Sequence, residues 1–413
     1  MQERRTLVTD TGNPKETNEK TLDATQHDEH DFSLVVGGPL YRMFLRAHLS
    51  GTALERPWRR VFLTIAITWL PLLFLAALAG VLLGGQGMPF LHDVDTHVRF
   101  LIYLPVLIFA ELIIHRRLQP AVRTFLERGI VRTEDLPKYH AAIDASMKFR
   151  NSITVELALV IFCWTAGHYI WRHAIALDAA SWYAVPRGTS LNLTLPGYWY
   201  VFVSLPIAQF VLLRWYLRII NWFVFLWRMS RLNLRLQPMH PDGAGGIGFL
   251  GKSTYAFGPI LFAQAVLLSG VIADRVLFDR ESLMSFRPTI LATVGFYLLA
   301  IFGPLTVFTP ALIRTKRVGL NRFGTLAMSY VEDFDEKWLE EKGHGEALLG
   351  TADIQSLADL ANSYSVVRGM RAVPFGLDDV KMLLAATVIP LLPLLLLILP
   401  FEELLNRLVK VVF

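Results

Sequence analysis

Three groups of residues in this chain could do chemistry. The first is the stretch 240–251, which reads H-P-D-G-A-G-G-I-G-F-L-G. His240 and Asp242 stand among Gly243, Gly245, Gly246 and Gly248. Glycines let a backbone turn tightly and present its N–H groups, and such a nest ahead of a helix favours an anion. An imidazole beside a carboxylate could instead hold a cation. The structural reading is a turn, in which Pro241 and the glycines bring the chain back against another helix. The second group is His92, Asp93, Asp95 and His97, four potential ligands in six residues. They suit a divalent metal or a proton relay. Their spacing is not a zinc pattern, and a short solvated loop has the same composition. The third group is Glu111, His115, Glu156, His168, Arg214 and Arg218, which sit in or at the ends of apolar segments. Ionisable groups at membrane depth are costly and face a cavity or a partner. Glu111 and His115 share a helix face, as do Arg214 and Arg218. Glu111 is expected to pair with Arg214 or Arg218. That pair serves either structure or a permeation path, and long side chains near an interface can also snorkel.

Other chemistries lack their parts. Residues 246–253, G-I-G-F-L-G-K-S, match the phosphate-binding pattern G-x-x-x-x-G-K-[ST]. That pattern needs a preceding strand in a parallel sheet and a soluble helix after it. Here an apolar segment follows, and the loop 228–254 is too short for a nucleotide fold. No Ser-His-Asp set, H-E-x-x-H or C-x-x-C stands out, so neither enzymatic activity nor a cofactor is the expectation. His168, alone on an apolar face, reads as hydrogen-bonded inside a bundle. The polar run His27 to Asp31 could grip a metal, but nothing near it fixes ligand geometry.

The elements that must position these residues are membrane helices. The chain has 413 residues, 53% hydrophobic and 18% charged. A soluble chain carries about 25% charged residues, and apolar runs of about 20 imply bilayer spans. Seven such runs are legible, at about 61–83, 98–114, 153–171, 198–217, 255–272, 289–313 and 380–399. The fold class is therefore all-α, a polytopic bundle of seven transmembrane helices with a small cytoplasmic helical layer. Pro390, Pro393 and Pro400 interrupt the last run, so six spans plus a re-entrant C-terminal hairpin is the alternative.

The net charge of +5 follows from Lys and Arg in the connectors. Nothing in it resembles a nucleic-acid-binding pattern. Segments 115–150 and 314–378 are basic, whereas 84–97 holds no Lys or Arg. By the positive-inside rule the N-terminus, 115–150, 228–254 and 314–378 are expected to be cytoplasmic. The first thirty residues hold no apolar core ahead of a cleavage site, so no cleaved signal peptide is expected. Cys163 is the single cysteine, which excludes an intrachain disulfide.

The expected organisation runs in five parts. Residues 1–32 form a disordered cytoplasmic tail. Residues 33–51 form an interfacial helix with Arg42 and Arg46 on one face. Six spans occupy 52–313. Residues 314–378 form a cytoplasmic helical insert, with Leu326, Tyr330, Phe334 and Trp338 on one stripe and Ile354, Leu357, Ala361 and Tyr364 on another. The last span and an amphipathic helix occupy 379–413. The two stripes must pack on each other, on the 116–150 loop, on the membrane, or on another chain.

The loop 240–251, together with 353–362 (D-I-Q-S-L-A-D-L-A-N) and 370–375 (M-R-A-V-P-F), resembles a group of bacterial multi-span inner-membrane proteins. The resemblance covers the chain from about residue 40. It implies a bacterial inner membrane and brings no assigned activity with it.

The sequence supports three functional readings. The leading one is a channel or transporter-like protein, homo-oligomeric, with 240–251 and 314–378 at its cytoplasmic mouth. The second is a sensor or scaffold that docks a soluble partner through 320–370. The third is a membrane enzyme using His240 and Asp242. A single cavity lined by Glu111, Arg214 and His240 would favour the first.

Overall fold

The structure is a computed structural model, and it describes residues 32–46, 57–85, 87–170, 180–187, 190–340 and 351–397. The described residues are 79% helical with almost no sheet, and six to seven helices among them are long and apolar enough to cross a membrane. Helix α1 is Pro39–Arg46. The longer helices are α2 (Pro57–Leu78), α3 (Val94–Glu127), the bent pair α4 (Thr133–Arg150) and α5 (Ile153–Gly167), α6 (Leu195–Ser230), α7 (Phe249–Phe278) and α8 (Leu283–Trp338). Helices α9 (Asp353–Gly369) and α10 (Leu377–Leu397) complete them. A two-stranded antiparallel hairpin, β1 (Ala184–Arg187) and β2 (Ser190–Leu193), lies between α5 and α6.

In hydrocarbon every backbone polar group needs an internal partner, which is why these apolar runs are helices. Where a proline breaks the ladder, a neighbour repairs it. Pro71 cannot donate to the Ile67 carbonyl. That carbonyl accepts instead from the Trp199 indole at 3.0 Å, and the next one, Thr68, accepts from the Ser204 hydroxyl at 2.7 Å. Helices α3, α5 and α6 each contain one π turn, at Arg99–Tyr103, Cys163–Gly167 and Tyr200–Ser204. The Gly167 carbonyl takes the Gln209 side-chain amide at 3.0 Å. Helix α7 is the central post: 61% of its apolar stretch is buried, against 22–50% for the other spans.

The two ends of the bundle are distinct. At one end the basic connectors meet. The Arg235 N–H donates to the Ile130 carbonyl at 2.7 Å, Asn233 N–H to Asp135 at 2.9 Å, and Lys316 to the Met370 carbonyl at 2.8 Å. At the other end the loop before α3 joins the region before the hairpin, through Trp182 N–H to the Met88 carbonyl at 2.9 Å.

Three sequence boundaries move. The sixth apolar run does not stop at 313, because α8 continues to Trp338 as one helix. Neither a proline nor a paired breaker lies between 311 and 338 to end it. The third span begins earlier than 153: α5, followed by helical residues to Ile170, meets α4 at a 42° bend after Arg150, and the two pass as a span only together. The segment 33–38 is a strap rather than part of a helix. Phe32 at its head is buried against Trp222 and Phe225, with ring centroids 6.5 and 5.0 Å away. The rest of the expected tail, the His27–Asp31 cluster, the Arg46 side chain and the expected C-terminal amphipathic helix lie outside the described residues.

Helix α9 lies against the distal half of α8. Asp353 locks the pair by accepting from Lys337 at 2.9 Å and the Trp338 indole at 3.0 Å. The Lys337 and Trp338 hydrogen bonds hold its carboxyl below the usual carboxylate value.

Candidate functional site

The intramembrane charges expected in the third group converge around Glu111. Helix α3 buries this carboxylate on its inward face. Its Oε1 accepts from Arg218 of α6 at 2.8 Å. Its Oε2 accepts from Arg60, one turn into α2. Arg214, one turn before Arg218, lies 3.7 Å from Glu111 and 3.8 Å from Glu156, both beyond hydrogen-bond distance. Glu156, in the first turn of α5, accepts from the Leu40 N–H at 3.1 Å and so holds the start of α1. Arg218 also lies over the Trp215 ring, at 4.5 Å.

Arg60 is not among the candidates read from the sequence, because it stands just ahead of the apolar run 61–83. The overlooked signal is Pro57, which favours a helix start and so carries Arg60 inside the first turn rather than before it. Arg60 is 4% exposed, yet its Nε and Nη2 have no hydrogen-bond partner among the described residues. Its one other neighbour of note is the Phe44 ring, 5.9 Å away. A buried donor without an acceptor costs about 1–3 kcal/mol, more when charged.

Beside this cluster lies a cavity of about 470 Å³ between α2, α3, α5 and α6, lined in part by Arg60 and closed at one end by α1. Its polar end holds Arg60, Glu111, Arg214 and Arg218. Elsewhere the wall is aliphatic and aromatic, and it includes Cys163, Phe202 and Val203 from two of the π turns. π turns recur at functional sites because they re-aim side chains locally. His240 does not line this cavity. His115 and His168 also stand apart from it. His115 bonds the Ser33 hydroxyl at 2.9 Å, and His168 stacks on Phe202 with centroids 5.8 Å apart.

The 240–251 loop forms the nest that its glycines suggest. Gly243, Gly245 and Gly246 have φ of 61°, 68° and 101°, in the region L side chains rarely adopt. The anion inside the nest is the chain's own. Asp242 accepts backbone N–H bonds from Ala244 at 2.8 Å, Gly246 at 3.1 Å and Gly248 at 2.8 Å, and lies 2.9 Å from His240 Nδ1. Burial raises the Asp242 carboxyl, but the three N–H donors and His240 outweigh it and hold its pKa below the usual carboxylate value. Arg371 then clamps the loop from outside. Its guanidinium donates to the Asp242 carbonyl at 2.7 Å, and its N–H donates to the Gly243 carbonyl at 2.8 Å. At Gly251 a Cβ would stand 2.7 Å from both Asp379 and the Pro374 carbonyl. The phosphate-binding reading of 246–253 therefore has neither a strand before it nor open space at its glycine. The loop joins α7 to the segment between α9 and α10.

The group at 92–97 is divided among different partners. Asp93 caps α3 by accepting from Thr96 N–H at 2.7 Å, and it also takes the Trp182 indole at 2.7 Å. Asp95 pairs with Arg99 at 2.6 Å. His97 accepts from the Trp69 indole at 3.0 Å, and His92 is exposed. Asp274, at the end of α7, accepts the Val94 and Asp95 N–H groups at 2.9 and 2.8 Å. Among the described residues no three His, Cys, Asp or Glu side chains are placed to share a metal ion.

Comparison with protein-family models, with curated proteins and with solved structures finds no match. The functional reading rests on the geometry.

Proposed function

We propose that this integral membrane protein is transporter-like and handles an anionic molecule at the arginine-lined end of the cavity. The observation that carries this reading is Arg60. It is buried and charged, and two of its donors point at no acceptor beside a cavity. Three guanidiniums face two carboxylates there, so the deficit is of negative charge. Both oxygens of Glu111 already accept hydrogen bonds, which leaves little for a cation to coordinate. A bacterial inner membrane and a cytoplasmic N-terminus fit the charge pattern of the connectors.

The test is transbilayer movement in proteoliposomes. Inorganic phosphate, a short-chain alkyl phosphate and a labelled anionic phospholipid serve as parallel probes. The wild type accelerates at least one of them, and Glu111→Gln, which unbalances the arginines, returns that rate to background. Background rates for all three probes with the wild type overturn the reading.

One observation favours a second reading, a sensor that signals through α8 and α9. Helix α8 is α-helical without interruption from Thr309, after a 3-10 segment at Gly303–Phe308, to the arm that α9 packs on, so a displacement of its Thr309 end would reach the arm. In that case transport is absent, and ligand changes the crosslinking of residues 320–370 to a soluble partner.

A further inference from the structure

We infer that the cavity between α2, α3, α5 and α6 binds an anionic bilayer lipid, its headgroup on Arg60 and Arg214 and one acyl chain along the apolar wall. The inference rests on the reading that the arginine cluster takes an anion, and it adds the chemical class of the ligand.

Four features point to a lipid rather than a small free anion. The first is length. Arg214 and Phe202 both line the cavity and are twelve residues apart on α6, about 18 Å of helix. Half of a ~30 Å hydrocarbon core is ~15 Å, so the cavity runs the depth of about one leaflet. The second is size: about 470 Å³ falls within the ~300–1,000 Å³ range of sites for small organic ligands. The third is the wall. Beyond the arginines it is built from residues such as Leu63, Ile67, Val203 and Ile207. A small anion would leave that surface against water or nothing, whereas a chain covers it at about 25 cal/mol per Å². The fourth is access. Met43, Leu63, Ile67, Val160, Trp164 and Phe202 line the cavity and are 38–59% exposed. These apolar rims belong to faces that lipid solvates, so the mouth opens sideways into the bilayer and a lipid reaches it without crossing water.

The headgroup charge follows from the polar end. Among the described residues Arg60 Nε and Nη2 lack an acceptor, and Arg214 has carboxylate oxygens only at 3.7 and 3.8 Å. A phosphodiester or carboxylate supplies acceptors to both, and guanidinium–phosphate bonds are among the stronger hydrogen bonds in proteins. A zwitterionic headgroup would also bring a cation to a site already rich in arginine.

The experiment uses the full chain, purified and delipidated in neutral detergent. Binding is read by native mass spectrometry and thermal shift. The probes are dioleoyl phosphatidylglycerol, dioleoyl phosphatidylcholine and inorganic phosphate at matched ionic strength. Phosphatidylglycerol is expected to bind at least about tenfold more tightly than phosphatidylcholine: both carry the phosphodiester, but choline sets a cation beside the arginines, a repulsion worth about that factor. Ile207→Trp, which fills the cavity, weakens phosphatidylglycerol binding by about tenfold or more. The double variant Arg60→Gln/Arg214→Gln, which removes both headgroup contacts and leaves Glu111 paired with Arg218, abolishes the preference between the two lipids. Circular dichroism verifies that each variant is folded.

Equal binding of the two lipids overturns the headgroup assignment. Phosphate binding as tightly as phosphatidylglycerol, with Ile207→Trp indifferent, overturns the lipid and leaves an anion site. Binding of no probe overturns both.

Discussion

Glu111 shows how a charge survives at membrane depth. A lone carboxylate in hydrocarbon is costly, and removing one partner from a buried pair costs about 3–5 kcal/mol because the other is stranded. Here the carboxylate is shared between Arg60 and Arg218, with Arg214 close by, so the excess that remains is positive. Asp242 solves the same problem with backbone N–H groups instead of arginines. Its lowered pKa gives a signed prediction. A carboxyl with a folded pKa below its unfolded value adds stability that is present above the unfolded pKa, about 3.9, and lost as pH falls through the folded one. Asp242→Ala is therefore expected to lower stability by about 1–3 kcal/mol at pH 7. The gap to the wild type should narrow as pH drops below about 4. Thermal unfolding of both proteins in detergent across pH 3–7 measures this, and a gap that stays constant over that range would count against the Asp242 assignment.

At the scale of elements, the helices of the basic end are locked together by close approach. Gly319 of α8 is one such point: a Cβ there would stand 2.7 Å from Pro238 and 2.9 Å from Val367 of α9. Neither neighbour is the free end of a flexible side chain. Gly319→Leu should push α9 off α8 and raise amide hydrogen exchange across 353–369, while α7 stays protected. Unchanged exchange in α9 would mean that the contact at Gly319 does not hold the arm. In the arm expected at 314–378, α9 packs on α8 and Tyr330, Trp338, Leu357 and Tyr364 are half-buried, but Leu326, Ile354 and Ala361 of the expected stripes are exposed; α9 begins at Asp353, which lies in its first turn as expected. The start of the arm was misplaced because hydropathy ends where lipid ends, whereas a helix ends only where its backbone pattern is broken.

For the whole molecule, the basic connectors gather at one end by direct contact, although they are far apart in sequence. Residues 130–135, 231–245, 312–319 and 367–371 all touch there. Single cysteines in a Cys163→Ser background give the expected readout. Lys138→Cys and Arg317→Cys should label from the same side of sealed vesicles, and His92→Cys from the other. Labelling of positions 138 and 317 from opposite sides would break the layout. The cavity and its proposed lipid then lie in the leaflet on the basic side.

What the residues alone determined is the membrane bundle, the position of most spans and the pairing of Glu111 with a guanidinium from α6. Apolar run length and the cost of an unpaired charge in lipid are local properties, so they can be read along the chain. Tertiary structure alone decided that Arg60 completes the cluster, that Asp242 occupies its own glycine nest, and that Asp93, Asp95 and His97 go to separate partners while His92 is exposed. Each depends on which helices touch and at what register, and neither propensity nor hydropathy encodes that for a helix solvated by lipid on its outer face.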